Sequence, residues 1–364
     1  MIQINGIKEE NKQYYRNYSK ILEDITNSGI LLIGKKLKTF EEKWASYCDS
    51  KYSVGLNSGL DALELSLKAM NLKKNDEIIT TSLSAYATIL SIYKVGCKPV
   101  IADIDPLTGL MDLESLKRCI SKKTKVVLYV HLYGFMYNSK KLLEITRNNN
   151  LLLIEDCAQA HGAKENHIKA GCLGIIAAWS FYPTKNLGSL SDAGAITTSN
   201  LSYSKKISKL RDYGQVSKYE HKYIGYNSRL SEFSAGVLLY KMKFLNNNND
   251  RRKKIGRIYH KNIKNKKIEL LKEPPQKENH VYHQFVIKSK YRKSLINYLA
   301  KNKIQTLIHY PKTLYDQKAS FFFDQDYQGL NKSKLFSKQC LSIPCHPYLT
   351  DNNIDKIINI INKF

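Results

Sequence analysis

Lys185 lies in Trp179-Ser180-Phe181-Tyr182-Pro183-Thr184-Lys185-Asn186-Leu187-Gly188, after an apolar run and between a proline and a glycine-containing loop. A lysine that forms a Schiff base must be held in a pocket and partly desolvated, so that its amine is neutral. An isolated lysine is ordinarily a solvated surface charge, but these flanks are unusually specific for a surface loop. A carboxylate stands in Ile154-Glu155-Asp156-Cys157-Ala158-Gln159-Ala160-His161, just past a buried apolar run. Open α/β sheets bind their ligands outside the carboxyl ends of the strands. Asp156 therefore either faces a cofactor nitrogen or caps the next helix, and a buried carboxylate must be paired in both cases. Leu56-Asn57-Ser58-Gly59-Leu60-Asp61 reads as the end of a strand, a small turn and the start of a helix. The free N–H groups and positive dipole end there suit a phosphate, with Gly59 letting the backbone come close. An ordinary capped helix start has the same pattern.

These residues need a scaffold, and the pattern supplies one. Strands are predicted at Tyr52–Leu56, Glu77–Thr80, Pro99–Ala102, Lys125–Tyr129 and Leu151–Glu155, with shorter ones at Ala177–Phe181 and Ala195–Thr198. Helices are predicted at Asp61–Met70, Ala87–Val95, Leu113–Ile120 and Lys140–Asn148. Such alternation implies a mostly parallel sheet covered on both faces. The texture changes near residue 250. A helix at Asp250–Lys261, a strand at Tyr282–Ile287 and helices at Tyr291–Lys301 and Asn353–Asn362 fit a smaller α/β domain. The expected division is a large domain over residues 1–245 and a small C-terminal domain over 246–364. The Asn246–Asn249 tract reads as an exposed loop.

The 364 residues suffice for a sizeable core. No run approaches the roughly 18 to 20 apolar residues of a membrane-spanning helix. The N-terminus lacks a basic-then-apolar signal pattern. The chain therefore reads as cytoplasmic, without membrane insertion. The seven cysteines are scattered and form no C-x-x-C pair. They read as reduced, buried small side chains, with no metal site. A net charge of +26 invites a nucleic-acid partner. But the basic residues are spread along the chain. The one dense run, Asn246–Lys267, lacks aromatics at a stacking spacing, so no nucleic acid is expected. Attraction of a nucleotide diphosphate is a milder use of the charge.

Taken together, the motifs NSGLDAL, EDCAQAHGA, SFYPTKNLG, DAGAITT, RDYGQ, GYNSRLSEFSAGVL, IHYP and IPCHPYLTD resemble the DegT/DnrJ/EryC1/StrS family of sugar aminotransferases. The resemblance runs from about Gly34 to the C-terminus. It implies the aspartate-aminotransferase-like fold type I, with pyridoxal 5'-phosphate (PLP) as cofactor. Lys185 matches the lysine that carries the cofactor, and Asp156 the carboxylate paired with the pyridine nitrogen. Gln159 matches a contact to the ring hydroxyl. Ser180, with the Ser58–Gly59 turn, matches the phosphate anchor. Asn227 matches the residue that reaches the neighbouring subunit's cofactor phosphate, supported by Arg229, which implies a homodimer with shared sites. Many relatives stack an aromatic residue on the ring. Here the candidate is Tyr86, one position later than the pattern, with Ala85 in the usual place.

The resemblance also implies L-glutamate as amino donor and a nucleotide-linked keto sugar as acceptor. The Lys-Asn-Leu-Gly sequence resembles enzymes that aminate C3 of a dTDP-3-keto-6-deoxyhexose, giving 3-amino-3,6-dideoxy sugars for surface polysaccharides such as O-antigen or for glycosylated natural products. Amination at C4 and a UDP-linked substrate are alternatives. His161, His309, Tyr310 and His346 are candidate sugar contacts, each weighed against a structural role. A different class, an inactive regulatory or binding protein on the same scaffold, is opposed by the intact Lys185, Asp156, Gln159 and Ser180.

Overall fold

The computed structural model describes residues 1–321 and 323–364. Two helices lead in, α1 (Ile7–Ser28) and α2 (Lys35–Tyr47). The sheet then begins with β1 (Tyr52–Leu56), followed by α3 (Gly59–Ala69), β2 (Glu77–Thr81), α4 (Tyr86–Lys94), β3 (Lys98–Ala102), β4 (Thr124–Val130) and β5 (Leu152–Asp156). Strands Ile176–Ser180, Gly194–Thr198 and Asp324–Gln325 complete an eight-stranded sheet. Its order is β1, Gly194–Thr198, Ile176–Ser180, β5, β4, β2, β3, Asp324–Gln325. Only Gly194–Thr198 runs against its neighbours. The other pairings are parallel.

The parallel strands are apolar on both faces because helices cover both faces. On one side Val54, Leu65, Ile78, Leu128 and Ile154 share a core. On the other, α2 brings Phe40 and Trp44 against Trp179, Phe181 and Ala195. Ser58 caps α3, its hydroxyl accepting from the Asp61 N–H at 3.1 Å. Such a cap satisfies one of the otherwise unpaired N–H groups of the first turn.

A second lobe holds a three-stranded antiparallel sheet of Glu269–Leu270, Phe285–Lys288 and Cys340–Ile343. Ile255, Tyr259, Leu295, Leu299, Ile357 and Ile361 pack there. Two expectations need correction. The Asn246–Asn249 tract is not an exposed loop. It forms the first turns of the helix Leu245–Asn262, and Asn249 is buried. Asparagine disfavours helix interiors only weakly, and tertiary hydrogen bonds override that preference here. Nor does the segment after residue 245 pack as a single separate unit. Asp324–Gln325 pairs with Val100–Ile101 of the large sheet, and Leu314 and Leu330 pack on Ile89 and Ile101.

Candidate active site

The ends of β1, β5 and strand Ile176–Ser180 point to one region, and each delivers one part of a site. The end of β1 delivers the Ser58–Gly59 turn. A Cβ added to Gly59 would lie 2.6 Å from the Cβ of Ser180, so only glycine lets the helix start approach that serine. The result is a cradle of a helix N-terminus and a hydroxyl, a combination suited to a phosphate.

The end of β5 delivers Asp156, which is buried. Its carboxylate accepts from the Thr88 hydroxyl and from the Ala158 N–H, both at 3.1 Å. Burial pushes this carboxyl up. The Ala158 N–H, the Lys185 charge and the Thr88 hydroxyl partly offset the shift. A cationic ring N–H placed against Asp156 would restore its ionised form.

Lys185 follows Ser180 through a tight loop in which its N–H donates to Tyr182 O at 2.8 Å. The side chain is partly buried and its amine is enclosed by protein. Burial lowers its pKa to about 8, against the opposing pull of Asp156. A substantial neutral fraction is then present near neutral pH, as attack on a carbonyl requires. Among the described residues, none makes a hydrogen bond to the Lys185 Nζ.

The two carboxylates at the end of β5 do different work. Glu155 accepts from the N–H groups of Gly171, Leu173 and Gly174 at 2.7–2.9 Å and pairs with Nε2 of buried His131 at 2.8 Å. Cys157 also lies close. The spacing would suit a metal, but hydrogen bonds already engage both carboxylate oxygens. Glu155 clamps the 171–174 turn, whereas Asp156 keeps capacity for a partner.

The other predicted residues separate clearly. Gln159 is buried. Its Oε1 accepts from the Tyr133 N–H at 2.7 Å and its Nε2 donates to the Tyr310 hydroxyl at 3.3 Å. Tyr310 and His309 are thereby brought to the Asp156–Lys185 region. The phenol of Tyr310 is pushed up to about 12 by burial and by the Asp156 charge. His309 is lowered to about 4 by burial and by Lys185, and its Nδ1 pairs with the Ser342 hydroxyl at 2.8 Å. Asn227 is exposed. Its Oδ1 accepts from Arg229 at 2.6 Å, and Arg229 also donates to Asp212. Neighbouring Ser228 ties this loop to the cradle, donating to Asp61 at 2.7 Å and accepting from the Asn57 N–H.

Three expectations fail on geometry. His161 is fully buried among Trp44, Trp179 and Phe181, at ring distances of 5.5–5.7 Å. Burial and the Lys185 charge hold it down to about 3. It is part of the floor and out of a sugar's reach. His346 is buried against the N-terminal segment, where a Cβ on Gly6 would meet its Nδ1 at 2.6 Å. Tyr86 packs with Ile89, Ile101, Leu314 and Leu330. Residues two apart on a helix point about 200° apart. With Thr88 on Asp156, Tyr86 faces away and Ala85 shares the Thr88 side.

Four residues that the sequence motifs did not single out stand against these groups: Thr88 bonds Asp156, Tyr133 bonds Gln159, and Asn249 and His283 both bond Asn186, the neighbour of Lys185. His283 lies in Val281-Tyr282-His283-Gln284-Phe285, where only a histidine before a strand gives any signal. Asn249 hid in a polar tract.

The DegT/DnrJ/EryC1/StrS aminotransferase family profile matches residues 13–362. The chain belongs to this family. It is an aminotransferase, and its cofactor is PLP. It is 36% identical to the dTDP-3-amino-3,6-dideoxy-alpha-D-galactopyranose transaminase of Aneurinibacillus thermoaerophilus, covering 100% of this chain and 99% of that one. It is 31% identical to the UDP-N-acetyl-3-dehydro-alpha-D-glucosamine 3-aminotransferase of Acidithiobacillus ferrooxidans, covering 94% and 91%. The crystal structure of S. venezuelae DesV superimposes with a TM-score of 0.95 at 30% identity, covering 100% of this chain and 98% of that one. The fold is thus that of the PLP aminotransferases. The cradle at Gly59, the under-paired Asp156 and the enclosed Lys185 fit a phosphate, a protonated ring nitrogen and a carbonyl respectively.

Proposed function

We propose that this enzyme moves an amino group from L-glutamate to C3 of a dTDP-linked 3-keto-6-deoxyhexose, giving a dTDP-3-amino-3,6-dideoxyhexose. The full-length similarity to the Aneurinibacillus transaminase carries the substrate assignment. Buried Asp156, aimed by the Thr88 hydroxyl and the Ala158 N–H at the end of β5, carries the chemistry. Bound at this site, PLP supplies an electron sink for a carbanion at the substrate carbon.

The chain's own residues do the rest. Ser58, Gly59 and Ser180 hold the phosphate. Asp156 keeps the ring nitrogen protonated, and Thr88 and the Ala158 N–H fix the carboxylate's direction. Lys185 would hold the cofactor, and its amine, once free, would take the proton from the donor's α-carbon. Positioned transfer of this kind contributes about 10²–10⁴ in rate. Gln159 holds Tyr310, which with His309 lines the side on which the sugar enters.

The working unit is a homodimer. Asn227 is exposed and aimed by Arg229, and apolar residues surround its loop: Ile224 is 90% exposed, and Ile30, Leu31, Leu32 and Ile33 are 43–60% exposed. Leu32 bridges to Ser231 beside that loop. Contiguous exposed apolar surface marks an interaction site. Seven free thiols suit a reducing compartment, the cytoplasm. The product is consumed in building a surface polysaccharide such as O-antigen, or a glycosylated natural product.

The test is turnover with L-glutamate on a panel of dTDP- and UDP-linked 3-keto and 4-keto sugars. The dTDP-3-keto-6-deoxyhexose is expected to give the largest kcat/KM. A larger value with a UDP-linked or 4-keto sugar moves the assignment to that substrate. Mixing Lys185→Ala with Asn227→Ala subunits tests the shared site. Random re-association restores one intact site in half the dimers, about a quarter of wild-type activity. A mixture no more active than its components rejects the shared site.

A further inference from the structure

The hydroxyl that aims Asp156 is itself held by a second hydroxyl. Thr88 Oγ1 donates to Asp156 Oδ2 at 3.1 Å, and Ser84 Oγ lies 2.8 Å from Thr88 Oγ1. Ser84, Thr88 and Asp156 are all buried. Ser84 stands two residues before α4 and Thr88 in its first turn. No side chain caps this helix, and its two nearest hydroxyls serve the carboxylate instead. The backbone of Thr88 is pinned at both ends, its N–H donating to Ala85 O at 3.1 Å and its carbonyl accepting from the Ser91 hydroxyl at 2.8 Å.

Each hydroxyl has one hydrogen to give, and a carboxylate only accepts. With Asp156 ionised, Thr88 spends its hydrogen on Oδ2, so the hydrogen between Thr88 and Ser84 must come from Ser84. The string then runs one way, from Ser84 to Thr88 to Asp156. The other carboxylate oxygen, Oδ1, accepts from the Ala158 N–H at 3.1 Å. Lys185 and His131 act on the carboxyl through space, but among the described residues Thr88 and Ala158 make its hydrogen bonds. Donors to the ionised form favour it, and in a buried string each hydroxyl polarises the next. A protonated Asp156 would turn the string round, with Oδ2 donating to Thr88 and Thr88 to Ser84.

We infer that Ser84 is a positioning residue for the cofactor's ring nitrogen. Its hydrogen commits Thr88 to the carboxylate, the carboxylate so supported stays ionised, and an ionised Asp156 keeps the proton on the ring nitrogen. Ser84 touches neither cofactor nor substrate and acts only through Thr88 and Asp156. The hydroxyl hydrogens turn but stay on their own oxygens. This rests on Asp156 being the partner of the ring nitrogen.

Two measurements test it. One is the signal of PLP labelled with 15N in the ring, read in the loaded protein, which reports whether that nitrogen carries a proton. The other is affinity for pyridoxamine phosphate, by titration. Thr88→Val keeps the side chain's shape and cuts the string beside the carboxylate. Losing a bond to a charged group should lower affinity about tenfold or more and move the ring signal toward the unprotonated position. Ser84→Ala removes only the polarising hydroxyl and should do the same in part, about twofold to threefold in affinity. Thr88→Ser, which keeps the hydroxyl, is expected to match the wild type. The two losses should not add: with Thr88→Val in place, Ser84→Ala has nothing left to act through. Wild-type signal and affinity in Ser84→Ala, or its full further loss on top of Thr88→Val, overturns the inference. A ring signal that Asp156→Asn leaves unmoved instead overturns the reading of Asp156. If Thr88→Val does not fold, Ser84→Ala decides alone.

Discussion

The two ends of the large sheet treat the same residue type in opposite ways. At the amino ends of β2 and β4, Lys73, Lys74, Lys122, Lys123 and Lys125 stand in solvent. At the carboxyl ends, Lys185 is enclosed with Asp156, His283 and His309. At the carboxyl ends desolvation lowers the lysine and raises the carboxylate, which brings the two proton affinities toward each other. These five lysines are solvated surface, whereas Lys185 is set apart by its surroundings.

Substitutions at the two ends should differ sharply in effect. Lys185→Ala is expected to remove the visible band of covalently held PLP and to lower turnover by at least the 10²–10⁴ typical of a positioned acid–base group. A variant that retains the band and turnover makes the two ends equivalent. In the proposed reaction, Asp156→Asn removes the charge that would hold the ring nitrogen protonated. Loss of one preorganised group of this kind lowers kcat by about 10²–10³-fold, which stopped-flow reaction with glutamate will show. Gly59→Ala drives a methyl group onto Ser180. Overpacking of this sort costs about 1–3 kcal/mol, so PLP titration should show affinity weakened about tenfold or more, with the fold intact by circular dichroism.

A pH series sharpens the comparison further. The neutral amine is the reactive form, and it grows as pH rises through the pKa. With Lys185 at about 8, the rate at which PLP attaches should rise with a midpoint near that pH. A midpoint near that of a solvated lysine would mean that the site does not desolvate the amine. The smallest effect belongs to the other end. Lys122→Ala, Lys123→Ala and Lys125→Ala should each change stability by less than about 0.5 kcal/mol and leave kcat/KM for the neutral-pH reaction within about twofold at moderate salt. A large fall in the triple variant would give the amino end a part in substrate capture.

Legibility followed burial. β1 to β5 were readable within a residue or two because strands buried on both faces appear as short apolar runs between turn signals. The Ser58–Gly59 turn, Asp156 and the loop that carries Lys185 lie where strands end, a place the alternation itself marks. The histidines were not readable in the same way. His161 and His346 carry strong motif context yet are sealed in the packing, while His283 has almost none and its Nδ1 lies 3.3 Å from the amide of Asn186, the neighbour of Lys185. Tyr86 was misplaced by a single helical step, which turns a side chain by about 100° and here sent the ring into another cluster. Asn249 reads as solvent-exposed in the sequence because a polar tract looks alike in a loop and in a helix. Its two amide partners lie 63 and 88 residues away in sequence.

The sequence by itself determined the alternation of strands and helices, the family and the cofactor. These depend on local patterns and on residue types that few other chemistries require. The tertiary structure alone decided which histidines reach the site, which way Asn186 presents its amide, which carboxylate of the Glu155–Asp156 pair is already satisfied, and how far Lys185 is desolvated. Each of those depends on atoms brought together from distant parts of the chain, where burial and hydrogen-bond direction, and no residue's identity alone, set the chemistry.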